Sequence, residues 1–193
     1  MKLPTGWRAA IDRFCADAKP FKDSCFRSVE FAWAYPDDVI SGEGTRAKGG
    51  RFAAKGTRAV YACLDEETAT KEVTARKTRL GGAAQISLKD YPRLIYVVSI
   101  EAKRCLDLRE IGGDAILKEA LTAALDPDDL SASQEIGDYL AEKGIDAVIF
   151  PSVVSGGGNI VVFRDADPPP TVEIRNRDEI FEAIRAMAKR IPK

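Results

Sequence analysis

A glycine-rich basic stretch over residues 44–61 holds the side chains of this sequence that are best suited to binding an anion. It reads GTRAKGGRFAAKGTRAVY, with arginines and lysines set among glycines directly before a strand-like run that ends in Tyr61. Glycine lets the backbone approach a ligand closely, and guanidinium and ammonium groups recognise phosphate. Neither the P-loop pattern nor the dinucleotide fingerprint is present. The stretch predicts an anion-binding loop, and from these residues alone a solvated basic loop is the alternative.

Three further features carry groups that could act beside that loop. Glu72 falls on a predicted helix, where the alternative is a surface pair with Arg76 at i+4, worth a few tenths of a kcal/mol. Arg27 alternates with Phe26 on a predicted strand, where the alternative is an edge-strand arginine in solvent. The third feature is the loop PSVVSGGGN over 151–159, rich in small and hydrogen-bonding groups, which a plain turn between strands explains nearly as well.

The composition excludes several kinds of chemistry. The 193 residues include no histidine, so Ser-His-Asp and Cys-His nucleophile systems and zinc sites built on imidazole are impossible. The four cysteines are widely spaced, without a C-x-x-C pair, and are interpreted as small buried apolar residues. A net charge of −1 argues against a general nucleic-acid binder. The length favours one domain, and neither a signal peptide nor a bilayer-spanning run is found, so we expect a cytoplasmic protein.

The elements that must position these groups are mixed along the chain. Asp65 is a plausible N-cap for the helix that carries Glu72, and the glycine pair at 81–82 is expected to end that helix. The absence of a regular βαβα alternation favours an α+β domain with a mostly antiparallel sheet or sandwich. Predicted helices cover 6–18, 66–79, 113–125, 132–143 and 178–190. Predicted strands cover 25–34, 58–64, 94–100, 105–108, 145–150 and 160–163, with one more after the prolines at 168–170.

Taken together and in order, these segments resemble the RES-domain family, named for an arginine, a glutamate and a serine. The matching blocks are FRSVEFA around Arg27, GGRFAAKGTRAVYACLDEETATKEV, and SQEIGDYLAEKGIDAVIFPSVVSGGGNIVVF. They run from about residue 24 to 165, within a single RES-type domain over 1–193 that ends in a strand and helix at 171–193.

The resemblance implies an ADP-ribosyltransferase-like fold, with a mixed, mostly antiparallel sheet core surrounded by helices. It implies a toxin that cleaves the nicotinamide–ribose bond of NAD⁺, with transfer of ADP-ribose to water or phosphate. By motif match the catalytic residues are Glu72, Arg27 and Ser152. The implied NAD-binding residues are Arg51, Tyr61, Gly50 and Asn159.

The family also implies a partner and a role for the dinucleotide. NAD⁺ would be a consumed substrate, with no cofactor and no metal, and a cognate antitoxin with an Xre-like DNA-binding part would cover the active site. Direct nucleic-acid or membrane binding by this chain is not expected. Three alternatives stay open: mono-ADP-ribosylation of a protein through the same site, a secreted effector payload, and a non-catalytic module that binds phosphate or nucleic acid.

Overall fold

The chain folds around a six-stranded sheet in a computed structural model that describes residues 2–81 and 93–188. The strand order is β1-β2-β5-β4-β3-β6, and β1 also pairs with β3, so the first five strands of that order close into a ring. All pairings are antiparallel except β3 with β4. The strands are β1 Lys19–Glu30, β2 Ala59–Cys63, β3 Arg93–Asp107, β4 Ala147–Pro151, β5 Gly158–Phe163 and β6 Thr171–Ile174.

Helices surround this sheet, which confirms the α+β class with a mostly antiparallel sheet. They are α1 Trp7–Phe14, α2 Pro36–Ser41, α3 Glu43–Lys48, α4 Glu66–Gly81, α5 Ala115–Ala124, α6 Ser131–Glu142 and α7 Arg177–Ala188. Single 3₁₀ turns occupy Cys15–Asp17, Phe31–Trp33 and Leu108–Glu110. Within residues 2–81 and 93–188, no helix combines the length and apolar character needed to cross a membrane.

Two hydrophobic cores lie on the two faces of the strands. Successive side chains of a strand point to opposite faces, and β5 shows this alternation clearly. Its Ile160 and Val162 belong to a core built with Val98 and Ile100 of β3. Val161 and Phe163 belong to the other core, in which helices α1, α5 and α6 pack on the sheet. The strand ends that carry the candidate site residues are therefore anchored by packing on both faces.

The structure corrects three expectations about these elements. The polar stretch at 36–57, in which no helix was predicted, contains α2 and α3, because Pro36 and Gly42 delimit two short helices of six residues each. The separate strands predicted at 94–100 and 105–108 are one strand, β3. Strand β1 begins at Lys19 instead of residue 25, because the backbone of its polar first half pairs with β3. Gly82, which was expected to help end the helix that carries Glu72, lies outside the described residues, as do residues 189–190 of the last predicted helix.

Candidate active site

Helix α4 places Glu72 beside the ends of β4 and β5. The helix begins directly after β2, and Asp65 caps it as predicted, because Oδ1 accepts a hydrogen bond of 2.7 Å from the backbone N–H of Thr68. The Thr68 hydroxyl donates to Oδ2 of the same carboxylate over 2.8 Å. These bonds lower the pKa of Asp65 from its ordinary value and keep the cap charged. The first turn of α4 is therefore fixed, and Glu72 follows as a half-buried residue.

The Glu72 carboxylate is held at one oxygen. Its Oε1 accepts a hydrogen bond of 2.7 Å from the Ser152 hydroxyl and another of 2.7 Å from Nδ2 of Asn159. Hydrogen bonds to an ionised acceptor are stronger than neutral ones, so these two donors orient the group firmly. Within the described part of the chain no side chain donates to Oε2. The alternative pair with Arg76 stays untested, because that side chain lies outside the described residues.

A tight turn after β4 orients the Ser152 hydroxyl. Ser152 is buried, and its own N–H donates to the carbonyl oxygen of Gly157 over 2.8 Å. Its Oγ accepts hydrogen bonds from the backbone N–H groups of Val154 and Ser155, each at 3.2 Å. Because the lone pairs of Oγ are used by the backbone, its proton is left for Glu72. The loop predicted at 151–159 therefore contains a turn whose internal hydrogen bonds fix the direction of the Ser152 hydroxyl.

The second donor, Asn159, is fixed from behind by a cysteine. Asn159 lies opposite Cys63 in the β2–β5 pairing, and the Cys63 thiol donates to its Oδ1 over 3.1 Å. Burial, together with the nearby charge of Glu72, raises the pKa of Cys63 to about 12, so the thiol keeps its proton. The sequence interpretation treated Cys63 as an apolar filler and missed this contact. The only signal was its position two residues after Tyr61, on the same face of the strand.

Arg27 lies on β1 as a half-buried residue whose charged group is buried at Nε, without a described carboxylate partner. Its Nη1 donates to the backbone carbonyl oxygen of Tyr61, and its buried Nε has no hydrogen-bond partner. Burial lowers the pKa of Arg27 to about 10, since no acidic neighbour offsets the loss of hydration. The predicted strand position is confirmed, and the alternative of an arginine in open solvent does not hold for this side chain.

Gly50 and Tyr61 form a close contact in the basic stretch. A Cβ at Gly50 would lie 2.7 Å from the Tyr61 hydroxyl oxygen, so no larger residue fits there without displacing the ring. The hydroxyl donates to the backbone carbonyl oxygen of Arg51. Burial raises the pKa of Tyr61, which keeps the hydroxyl protonated as a donor. The aromatic ring therefore fixes the glycine-rich turn against β2.

The Arg51 side chain reaches the end of α5. Its Nη1 donates to the carbonyl oxygen of Ala124 and, over 3.2 Å, to that of Asp126. A cation at a helix C-terminus is stabilised by the unpaired carbonyl groups there. Arg46 and Arg58, in the same stretch, form ion pairs with Glu43 and Asp165, at 3.5 Å and 2.7 Å. Three arginines of the basic stretch thus already have partners within the protein. Substrate binding by Arg51 stays a prediction.

The candidate residues separate into a bonded centre and its surroundings. Glu72, Ser152 and Asn159 come from three different elements and are joined directly by hydrogen bonds. Arg27 and Tyr61 are joined to each other through the Tyr61 carbonyl group. A carboxylate oriented in this way can accept a hydrogen bond from a hydroxyl group, or it can stabilise a positive charge next to its second oxygen.

Comparison with known protein families identifies the family of this chain. Residues 25–183 match the RES domain, a span that includes every residue of the bonded centre and its surroundings. The chain belongs to the RES-domain family. Of the three residues that the motif resemblance predicts as the arginine, glutamate and serine of the family, Glu72 and Ser152 are in direct contact.

A solved structure with the same fold is the MbcT toxin in the crystal structure of the M. tuberculosis MbcT–MbcA toxin–antitoxin complex. The match has a TM-score of 0.67 and 21% sequence identity, and covers 90% of this chain and 91% of that chain. At this identity the likeness establishes the fold of the RES domain. Comparison with the curated proteins gave no match.

Proposed function

We propose that this RES domain is the toxin of a toxin–antitoxin pair and that it cleaves the nicotinamide–ribose bond of NAD⁺. The observation that carries the proposal is the Glu72 carboxylate, held at Oε1 by Ser152 and Asn159. Family membership and the shared fold with a toxin support the biological role. The absence of histidine from the chain is compatible with this reaction, because the leaving group needs no proton.

Arg27 supplies the argument for a phosphate-bearing substrate. A buried cation is costly unless an anion or several acceptors compensate for its lost hydration. Nothing acidic among the described residues pairs with Arg27, and its Nε has no partner at all. A pyrophosphate group would provide both the charge and the acceptor oxygens that a guanidinium binds in bidentate fashion. We therefore assign the pyrophosphate of NAD⁺ to Arg27.

The bond-breaking step needs charge stabilisation more than proton transfer. The bond between C1′ of the ribose and the nicotinamide nitrogen breaks, and its electron pair goes to that nitrogen, which leaves as neutral nicotinamide. Positive charge develops on the ribose, as in an oxocarbenium ion. Oε2 of Glu72 would accept a hydrogen bond from the ribose 2′-hydroxyl and stabilise that charge, an effect of a few kcal/mol for a preorganised group.

The acceptor then completes the reaction at C1′. Water attacks and loses a proton to solvent to give ADP-ribose, or inorganic phosphate attacks to give ADP-ribose phosphate. A nucleophilic side chain of another protein would yield a mono-ADP-ribosylated protein through the same first step. We assign Tyr61 to the pocket wall near nicotinamide.

A toxin of this kind needs an inhibitor in the cell that makes it. We assign that role to a cognate antitoxin with an Xre-like DNA-binding part that covers the Glu72 site. The matched fold belongs to a structure described as a toxin–antitoxin complex, which supports a protein partner of this type. A cytoplasmic location follows from the same role, because NAD⁺ and the antitoxin are both present there.

The experiment that tests the proposal is product analysis with purified protein. The chain is incubated with NAD⁺, with and without inorganic phosphate, and nicotinamide, ADP-ribose and ADP-ribose phosphate are resolved by chromatography. We expect nicotinamide release matched in amount by one of the two ADP-ribose products, and its suppression by the antitoxin. Release that appears only with a labelled protein acceptor identifies a transferase. No release under any condition, with salt-dependent binding to polyanions, identifies a binding module.

A further inference from the structure

Cys63 and Glu72 hold the two ends of one side-chain amide. The Cys63 thiol contacts Oδ1 of Asn159 at 3.1 Å, and Glu72 contacts Nδ2 of the same residue at 2.7 Å. The contacts follow from the pairing of β2 with β5, which sets Cys63 opposite Asn159. A continuous chain of hydrogen bonds therefore runs from the β2 thiol through the amide to the carboxylate.

The chemistry of the three groups allows one orientation of the amide. An ionised carboxylate only accepts hydrogen bonds, so the NH₂ end of Asn159 must face Glu72. The carbonyl end then faces Cys63, whose protonated thiol is a donor, though a weak one. In the reverse orientation the amide oxygen would meet the carboxylate oxygen, and two acceptors would repel each other. The thiol stabilises the correct orientation of the amide by donating to its oxygen. Burial keeps the thiol protonated.

We propose that Cys63 is a positioning residue for the active site, because its thiol locks the Asn159 amide in the orientation that restrains Oε1 of Glu72. With Oε1 restrained, Oε2 is presented to the ribose. This role rests on the proposed NAD⁺ cleavage, in which Glu72 stabilises the developing charge. Cys63 itself does not touch substrate, and it acts only through Asn159.

Cys105 provides a matched control within the same chain. It is buried to nearly the same degree as Cys63, with 7% of its surface exposed compared with 9%. Burial raises the pKa of both thiols to about 12. The Cys105 thiol faces backbone groups of Leu106, whose carbonyl oxygen lies at 4.0 Å, and of Ile149, and Cys105 lies on β3 in a pairing with β4. Cys105→Ala therefore removes a similar volume from a core without touching the Glu72 hydrogen bonds.

The first test compares Cys63→Ala with Cys63→Ser in NAD⁺ cleavage. We expect kcat to fall about fivefold to tenfold in Cys63→Ala, the loss of roughly one hydrogen bond, with KM changed less than about twofold. Cys63→Ser retains a donor and should recover most of the wild-type kcat. Cys105→Ala should keep the wild-type kcat. A Cys63→Ala enzyme with wild-type kcat, or a Cys63→Ser enzyme as slow as Cys63→Ala, would overturn the proposal.

The second test needs no NAD⁺ and separates this proposal from the proposed function. The side-chain NH₂ protons of Asn159 are observed by ¹⁵N–¹H NMR on the free protein. In wild type and Cys63→Ser we expect one of the two protons to be shifted downfield by the carboxylate, and in Cys63→Ala we expect that shift to diminish. An unchanged Asn159 signal in Cys63→Ala excludes the positioning role, even if the wild type cleaves NAD⁺. A diminished signal establishes it, even if the wild type does not.

A second pair of variants protects the test against a folding defect in Cys63→Ala. Threonine and valine have nearly the same shape, suit a strand, and differ in one hydroxyl donor. Cys63→Thr should retain the downfield Asn159 proton, and Cys63→Val should lose it. Identical Asn159 signals in the two variants would contradict the proposal.

Discussion

The Ser152 hydroxyl lies 2.7 Å from Oε1 of Glu72, although 80 residues of sequence separate them. The turn after β4 and the helix after β2 meet at this bond. Because two backbone N–H groups occupy the lone pairs of Ser152, its proton points at the carboxylate. The serine therefore acts as a fixed donor to Glu72 and not as a free nucleophile.

Ser152→Ala should reduce catalysis more than folding. The variant removes one charged hydrogen bond from Glu72, so we expect kcat for nicotinamide release to fall about tenfold to a hundredfold. Ser133→Ala is the control, because Ser133 in α6 is also buried and donates to the carbonyl oxygen of Leu130, the residue before that helix. Steady-state kinetics and thermal unfolding measure the two effects. Equal loss of kcat in both variants would count against a specific role for Ser152.

Glu72→Gln should nearly abolish NAD⁺ cleavage. The amide has the same shape but no charge to stabilise the oxocarbenium-like ribose, and we expect a loss of at least about a hundredfold in kcat. Glu67→Gln, on the exposed side of the same helix and paired with Lys71, should remain active. Full nicotinamide release by Glu72→Gln would refute the role assigned to this carboxylate.

Arg27→Met should weaken NAD⁺ binding without lowering the stability of the fold. Methionine removes a poorly compensated buried charge, so the free energy of unfolding should stay within about 1 kcal/mol of wild type or rise. The Kd for NAD⁺, measured in the Glu72→Gln background, should increase about tenfold or more because a charged hydrogen-bond donor is lost. Arg58→Met, which breaks a surface pair with Asp165, is the control and should bind normally. Unchanged affinity in Arg27→Met would contradict the pyrophosphate assignment.

Arg51→Ala should weaken the end of α5. The side chain donates to two carbonyl groups there, so the free energy of unfolding should fall by about 1–2 kcal/mol. We also expect weaker NAD⁺ binding, as predicted from the glycine-rich stretch, with Arg46→Ala as the exposed control. Denaturant unfolding and calorimetry measure the two quantities. Lower stability with an unchanged Kd would assign Arg51 a structural role alone.

Asp65→Ala should destabilise the helix that carries Glu72 in a pH-dependent way. Loss of the cap should cost about 0.5–2 kcal/mol near neutral pH. The bonds from Thr68 lower the pKa of Asp65 below its ordinary value of 3.8. The stabilisation is therefore complete above 3.8 and is lost as the pH falls through the lower folded-state value. Wild type and variant should converge in acid, whereas Asp128→Ala, in the exposed α5–α6 loop, should match wild type throughout.

The sequence was sufficient to select the residues of the candidate site and to locate most elements around it. Glu72, Ser152 and Asn159 stand in motifs that can be read directly, and the 3.6-residue and alternating patterns located the long helices and buried strands. The contacts among the three could not be read from sequence, because they depend on how β2, β4 and β5 pair. The role of Cys63 was invisible for the same reason, since it exists only through the strand register with Asn159.

The errors in the fold also have physical causes. Helices α2 and α3 have six residues each, too few for a hydrophobic period to be recognised. The first half of β1 is exposed and polar, so its pairing with β3 leaves no apolar alternation to detect. Arg51 stands among glycines and suggested a ligand contact, whereas its observed acceptors lie 73 and 75 residues further along the chain.

The distance in sequence between Glu72 and its two donors has a consequence for synthesis of the protein. A nascent chain that ends before β5 contains Glu72 but lacks Asn159, which lies 87 residues later. Contacts of such long range form late, after much of the chain has been ordered. For the proposed toxin, a product truncated before Asn159 would therefore lack one of the two donors that hold the Glu72 carboxylate.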